Sequence, residues 1–310
     1  MTALICGSVA YDNIMVFEDS FKNHILPDKI HILNVSFLVP RLRREFGGCA
    51  ANIAYNLRLL GENPLPMATV GQDFGPYREW LERKHIHTGH IRALDDVFTA
   101  QAFITTDLDD NQITAFHPGA MNFAELNKVS DATGVKIGIV SPDGRTGMIE
   151  HAAQFAKAGI PFVFDTGQGL PMFDGKDLRR FVEQCTWVTV NDYEWQLLMD
   201  RTGWDVADVT KHAKALIVTR GAEGSVIYAA GEEFEIPTAK PKAVEDPTGC
   251  GDAYRAGLLY GLLRDLDWET TGRIASLMGA LKIECHGTQN HSFTLDEFKR
   301  RYKSSFGRSF

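Results

Sequence analysis

The chain has 310 residues, 44% hydrophobic and 23% charged, a composition typical of globular proteins and a length sufficient for one large α/β domain. Its 40 acidic and 32 basic residues leave a net charge of −8, which argues against a nucleic-acid-binding face but not against a small anion held by backbone amides. Five scattered cysteines without a C-x-x-C pair, no apolar run of membrane-spanning length and no basic signal-like N-terminus lead us to expect a cytoplasmic protein with free thiols, no zinc and no membrane partner.

In chain order, residues 2–9 run apolar into Gly7-Ser8, as an opening buried strand does. Residues 12–40 mix polar and apolar side chains, and pieces at 14–17 and 30–38 read as strands outside a main sheet. Gly47-Gly48 then precede a helix beginning at Cys49, closed by Gly61. A second extended pair, 98–106 and 112–116, is joined across the Asp- and Asn-rich turn 107–111. Beyond residue 130 strands and helices alternate. The expected strands are 136–140, 161–165, 187–191, 215–219 and 225–228, and the expected helices 147–158, 176–184, 194–200 and 253–263. This alternation predicts an α/β fold with a mostly parallel sheet covered on both faces, and ligands at the carboxyl ends of its strands. The extended segments at about 12–46 and 97–118 would form a small β-lid on a single domain spanning residues 1–310.

The chemistry concentrates in Asp246-Pro247-Thr248-Gly249-Cys250-Gly251-Asp252, which opens the helix at 253. Amides of Gly249, Cys250 and Gly251 at a helix N-terminus make an anion site, and glycines let a ligand approach the backbone. Asp252 beside that site suits proton removal from an attacking hydroxyl. An ordinary helix junction with Asp as N-cap is the plain alternative. No Walker lysine and no G-x-G-x-x-G is present. Asn191 and Glu194, after an apolar strand, could order waters around a divalent cation or form a capping box. Thr219, Gly221 and Gly224 could hold phosphate or ribose oxygens, or make a turn between antiparallel strands. Asp12, Gly47, Gly48 and Asn52 have the donors and acceptors to hold vicinal hydroxyls of a sugar.

The order G-S-V-A-Y-D, G-G-x-x-x-N, G-Q-D-F-G, N-x-x-E, T-x-G-x-x-G and D-P-T-G-C-G-D resembles the ribokinase-like (PfkB-type) carbohydrate and nucleoside kinases over nearly the full chain. The resemblance implies a three-layer α/β/α fold with a β-lid, and ATP- and Mg²⁺-dependent transfer to a primary hydroxyl. It makes Asp252 the catalytic base, with Gly249, Cys250 and Gly251 as anion hole. Asp12, Gly47, Gly48 and Asn52 would bind the acceptor, Asn191 and Glu194 would join the Mg²⁺–phosphate network, and Thr219, Gly221 and Gly224 would line the ATP site. Asp246 with carbonyls of 284–290 would bind a monovalent cation such as K⁺. Pro247 and Cys250 depart from the commonest pattern, and Pro247 deletes one N–H beside the cation loop.

The apolar content of 11–46, with Phe98, Phe103 and Phe116, suits cover for a purine base as well as a small core for the lid itself. Segments 36–40, 115–121 and 287–291 resemble members acting on adenosine and other nucleosides. The expected reaction is phosphorylation of a purine nucleoside, adenosine first, to its 5′-monophosphate. A sugar kinase is the rival, since Arg41, Arg43 and Arg44 could meet a phosphosugar, and a binding protein without catalysis is the reading from another class. Lid edges allow either a monomer or a homodimer.

Overall fold

The computed structural model describes residues 2–25, 31–32, 34–109 and 111–310. In chain order the first strands and helices are β1 (Thr2–Cys6), β2 (Ala10–Val16), β3 (Arg41–Gly47), α1 (Cys49–Leu59), β4 (Asn63–Val70), α2 (Gly75–Arg83), β5 (Ile91–Ala93), β6 (Ala100–Thr106) and β7 (Gln112–His117). They are followed by β8 (Ile137–Val140), α3 (Arg145–Ala158), β9 (Phe162–Asp165), α4 (Gly175–Gln184), β10 (Trp187–Asn191) and α5 (Asp192–Thr202). The chain closes with α6 (Val206–His212), β11 (Ala215–Thr219), β12 (Ser225–Ala229), β13 (Glu232–Ile236), α7 (Cys250–Leu263), α8 (Trp268–Ile283) and α9 (Leu295–Phe306).

The main sheet has the order β13-β12-β11-β10-β9-β8-β1-β4-β5, parallel from β11 to β5 and antiparallel at β12 and β13. Its strands are short and apolar because both faces are covered. In β1, Ala3 and Ile5 point into one core while Leu4 and Cys6 point into the other; in β11, Ala215 and Ile217 oppose Leu216 and Val218 in the same way. β4 carries Pro64 and Pro66, which obscure it in the sequence. β5 pairs only with Ala68–Val70, so the prolines stand where the outer edge of β4 needs no N–H donor.

The smaller sheet has the order β3-β2-β6-β7, with β2 parallel to β6 and the other pairs antiparallel. One sequence expectation changes here. The segment expected as a strand at 30–38 forms no strand over 34–38, and Ile30 and Leu33 lie outside the described residues; the strand is β3, whose R-L-R-R-E-F-G hides its period under charge. The apolar residues of that segment gather locally. Phe37 packs on Phe17 and Phe21 at 4.8 and 5.0 Å, a small core belonging to the lid itself.

At the carboxyl end of the main sheet, α7 starts the site and packs against α1 and α8. Close approach of α7 to α8 depends on small residues: a Cβ on Gly257 would stand 2.5 Å from the Cα of Ala275. Among the described residues no helix is long and apolar enough to cross a membrane.

Gly257→Ala should therefore destabilise the fold by about 1–3 kcal/mol, because backbone cannot yield as a side chain can. Gly279→Ala, on α8, meets nothing closer than the Cys250 carbonyl at 3.6 Å. It should instead stabilise by roughly 0.5–1 kcal/mol by removing unfolded-state freedom. Urea denaturation of both variants checks the pair, and equal effects would show that helix packing does not set the response.

Candidate active site

The turn before α7 is shaped by its own polar groups. Asp246 accepts at Oδ1 from the N–H of Thr248 (2.9 Å), and Gly249 adopts a left-handed φ of 81° that leads into the helix. The N–H of Cys250 donates to the Pro247 carbonyl at 3.2 Å, so this expected anion-hole amide is engaged within the turn. Gly251 and Asp252 occupy the second and third helical positions, whose N–H groups have no intrahelical acceptor and point out of the helix end. The open donors of the site therefore sit one step further along the chain than the sequence suggests.

Asp252 is partly buried and held from the side. Its Oδ2 accepts from Nδ2 of Asn52 on α1 at 2.8 Å. Oδ1 of Asn52 accepts from Nε2 of Gln289 (2.9 Å), and that nitrogen also donates to the Tyr77 hydroxyl (2.6 Å). Tyr77 donates onward to the Gly47 carbonyl at 2.8 Å, and Trp80 Nε1 anchors Gln289 through Oε1 at 2.9 Å. One chain of hydrogen bonds thus joins the Gly-Gly turn to Asp252. Asn52, expected to hold a sugar hydroxyl, already has a partner at each end and retains one N–H and one lone pair to offer.

Burial raises Asp252 to a pKa of about 6, against the opposing hydrogen bond from Asn52 and the charge of Arg255. Asp12 is also raised to about 6, first by burial and then by the carboxylates of Glu45 and Asp246. Both lose their protons below neutrality, and both hold them more tightly than an exposed carboxylate would.

The lid presents its expected residues in one row. Asp12 pairs with Glu45 and Ala102, and Ala102 pairs with Phe116 across the next strand. Paired residues share a face, so Phe116, half exposed at 52%, stands on the face of Asp12 two strands away. Gly47 lies against the Asp12 carboxylate: a Cβ there would meet Oδ2 at 2.5 Å. Gly48 has a φ of 89° and leaves no room for a side chain between Ser8 and Ala10. The root of the lid is tied down by Asp73 of the G-Q-D-F-G stretch, which accepts from Thr99 N–H (2.8 Å) and Gln101 Nε2 (3.1 Å). The three arginines of β3 do not form a cluster. Pleating puts Arg43 on the Asp12 face, where it pairs with Glu45 at 3.0 Å, and Arg44 on the other, bonded to Asn13 at 2.8 Å; Arg41 meets Glu18 at 3.5 Å.

On the other side of Asp252, Arg255 is buried against Asp165 at the end of β9, at 2.7 Å, with Glu194 at 3.9 Å. Burial acts to lower the Arg255 pKa, but the Asp165 carboxylate outweighs it and holds the guanidinium firmly charged. Asn191 and Glu194 make a full capping box on α5, with bonds of 2.7 and 2.9 Å. Burial, then Asp165, raises the Glu194 carboxyl, and Arg255 opposes them. Thr219 ends β11 beside Asn191 in register, and its hydroxyl donates to the Val190 carbonyl at 3.3 Å. β11 and β12 are antiparallel, and Gly221 and Gly224 sit in the turn between them. Gly221 is exposed with open space around it. Gly224 is required by the fold, since a Cβ would meet the Ile236 carbonyl at 2.1 Å. Among the described residues no cluster of three or more His, Cys, Asp or Glu could hold a metal by itself.

Sequence reasoning missed Asp165, Arg255, Gln289 and Tyr77 as site residues. Arg255 had a visible signal, a lone cation in the apolar run 253–263. The others gain their meaning only from long-range partners.

The sequence profile of the pfkB family carbohydrate kinases matches residues 12–294. The nucleoside kinase of Methanothermobacter thermautotrophicus is 32% identical over 301 residues, covering 96% of this chain and 97% of the relative. The structure of Burkholderia thailandensis nucleoside kinase in complex with inosine superposes with a TM-score of 0.90 at 50% identity, covering 99% of each chain. That of Methanocaldococcus jannaschii nucleoside kinase, an archaeal member of the ribokinase family, gives 0.89 at 30% identity over 98% of this chain and 99% of the other. With the profile spanning nearly its whole length and the ribokinase fold shared throughout, the chain belongs to the pfkB family of carbohydrate kinases.

Proposed function

We propose that this kinase transfers the γ-phosphoryl group of ATP to the 5′-hydroxyl of a purine ribonucleoside. The observation that carries the reading is the hydrogen-bond chain that ties Asp252, at the open end of α7, through Asn52, Gln289 and Tyr77 to Gly47, which lies against Asp12 of the lid. Similarity to a nucleoside kinase solved with inosine, and again with ADP and inosine, supports a purine acceptor. Inosine therefore stands beside adenosine, the acceptor expected first from the sequence. Each arginine of β3 is already paired, Arg41 with Glu18, Arg43 with Glu45 and Arg44 with Asn13, which weighs against a phosphosugar, since that would need free cations converging on a second phosphate.

In this mechanism Asp252 takes the proton of the 5′-hydroxyl as its oxygen bonds to the γ-phosphorus and the bond to the ADP oxygen breaks. The amides of Gly251 and Asp252 receive the charge on the transferring oxygens. Asp12 and Asn52 hold the ribose hydroxyls, Gly47 and Gly48 let the sugar approach the backbone, and Phe116 covers the base. Asn191, Thr219, Gly221 and Gly224 line the nucleotide site. Glu194 is one partly buried carboxylate with an Asn beside it, a donor set suited to a Mg²⁺ ion that keeps most of its waters and phosphate ligands. Bound there, the ion would neutralise phosphate charge.

Asp252→Asn should lower kcat by at least on the order of 10²-fold with nucleoside KM little changed. Near-native turnover in steady-state assays would reduce Asp252 to a helix-end residue. Since the carboxylate is the active form and its pKa is raised to about 6, activity should be full above that pH and fall as pH drops through it. A kcat–pH profile checks this, and the residual activity of Asp252→Asn should lack that acid limb. The 2′- and 3′-deoxy analogues of inosine and adenosine should each lose about 1–3 kcal/mol of transition-state binding, because a buried polar partner is left unpaired. Equal kcat/KM for parent and deoxy nucleosides would remove Asp12 and Asn52 from the ribose site.

A further inference from the structure

Residues 245–251 and 283–290 meet beside the anion hole. Their backbones are joined where Glu245 N–H donates to the Ile283 carbonyl at 2.9 Å, and Gly249 packs against Thr288. The family resemblance would place a monovalent cation here, held by Asp246 and carbonyls of the second segment. The groups it would need already have partners. Lys282, in the last turn of α8, is completely buried at 0% exposure. Its ammonium donates to the Asp246 carbonyl at 2.7 Å and to the Cys285 carbonyl at 3.0 Å, one acceptor from each segment. Asp246 turns its carboxylate to backbone amides, Oδ1 to Thr248 (2.9 Å) and Oδ2 to Gly287 (2.9 Å). These hydrogen bonds keep its carboxyl below the ordinary range although burial acts the other way.

We infer that the Lys282 ammonium takes the place of the monovalent cation, bridging the two segments from within the chain, so that this kinase needs no K⁺. An ammonium group and a potassium ion carry the same charge, have similar size and are both satisfied by carbonyl oxygens. A second monocation bound to the same carbonyls would have to displace the first or stand against it in a poorly screened interior. The tether makes displacement unfavourable, because the lysine stem is packed and its charge has no route to water. The charge of Lys282 also acts to lower the Asp246 carboxyl, so the ammonium stands on two carbonyls and beside a carboxylate, as a bound monocation would. The assignment rests on the geometry of the loop and on kinase family membership, and it holds for any acceptor.

The test compares the purified protein in KCl with the same protein in choline chloride at equal ionic strength, by phosphorylation rate and by Tm without nucleoside. The wild type should show the same rate and the same Tm in both salts. K⁺-specific activation or K⁺-specific stabilisation would overturn the assignment. Lys282→Met should lose activity and Tm in choline and regain both in KCl, as the freed carbonyls accept the ion. Full activity and stability of that variant in choline would also overturn it. Should Lys282→Met fail to fold in either salt, the wild-type comparison decides alone. The Tm arm involves no acceptor, so an error in the purine assignment would leave it untouched.

Discussion

A carboxylate and a phosphoryl group repel one another, yet Asp252 stands at the end of the helix whose amides are positioned to receive an anion. The arrangement holds because the surroundings fix the carboxylate from the side rather than neutralising it. Asn52 donates to it from α1, and Arg255, one turn along the same helix, directs its charge to Asp165 and Glu194. A cation bonded directly to Asp252 would lower its pKa; a neutral amide orients it at less cost in basicity. Burial then lifts it to about 6, high enough to accept a proton and low enough to be empty at neutral pH. The rest of the molecule serves to keep that compromise in place.

The lid works by parity. Because side chains alternate across a pleated sheet, the β2–β3–β6–β7 registers sort the lid residues into two populations. Asp12, Glu45, Ala102 and Phe116 share one face. Asn13, Arg44, Gln101 and His117 belong to the other, where Asn13 bonds to Gln101 at 3.2 Å and Gln101 reaches Asp73. A polar network on the second face stiffens the sheet and connects it to the main body, which leaves the first face free to present an acidic group and an aromatic ring together. A one-residue slip of β2 would exchange the two populations, so the network also protects the register.

Much of this was legible in the chain. Strands β1 and β8 to β12 announce themselves as short apolar runs, since only strands buried on both faces look that way. The turn at 246–252 is equally plain, because glycines before an acidic residue and an apolar run are few. What could not be read falls into two kinds. Some local signals were masked: Pro64 and Pro66 in β4 speak against a strand unless one knows that β5 is too short to need their amides, and the charges of β3 hide its alternation. Other features are purely relational. Asn52 looks like a ligand-binding residue and Gln289 like an ordinary polar one, and only the fold shows that they bond to each other and that Asn52 bonds to Asp252. Glu194 shows both at once, with the capping box visible in N-x-x-E and the nearby guanidinium and Asp165 not.

The hydrogen-bond chain through Asp252 has a bearing on how the protein matures. Its two links span 200 residues between Asn52 and Asp252, and 237 between Asn52 and Gln289. No partial chain can assemble it. During synthesis the lid, α1 and the first strands emerge long before α7 or Gln289 exist, so Asn52 waits with its amide unpaired in a half-built core until the last fifth of the sequence arrives. Loop closure over such separations is entropically demanding and comes late in folding. Assembly of this hydrogen-bond chain should therefore mark a late step of maturation, reached only once the segment carrying Gln289 has joined the fold.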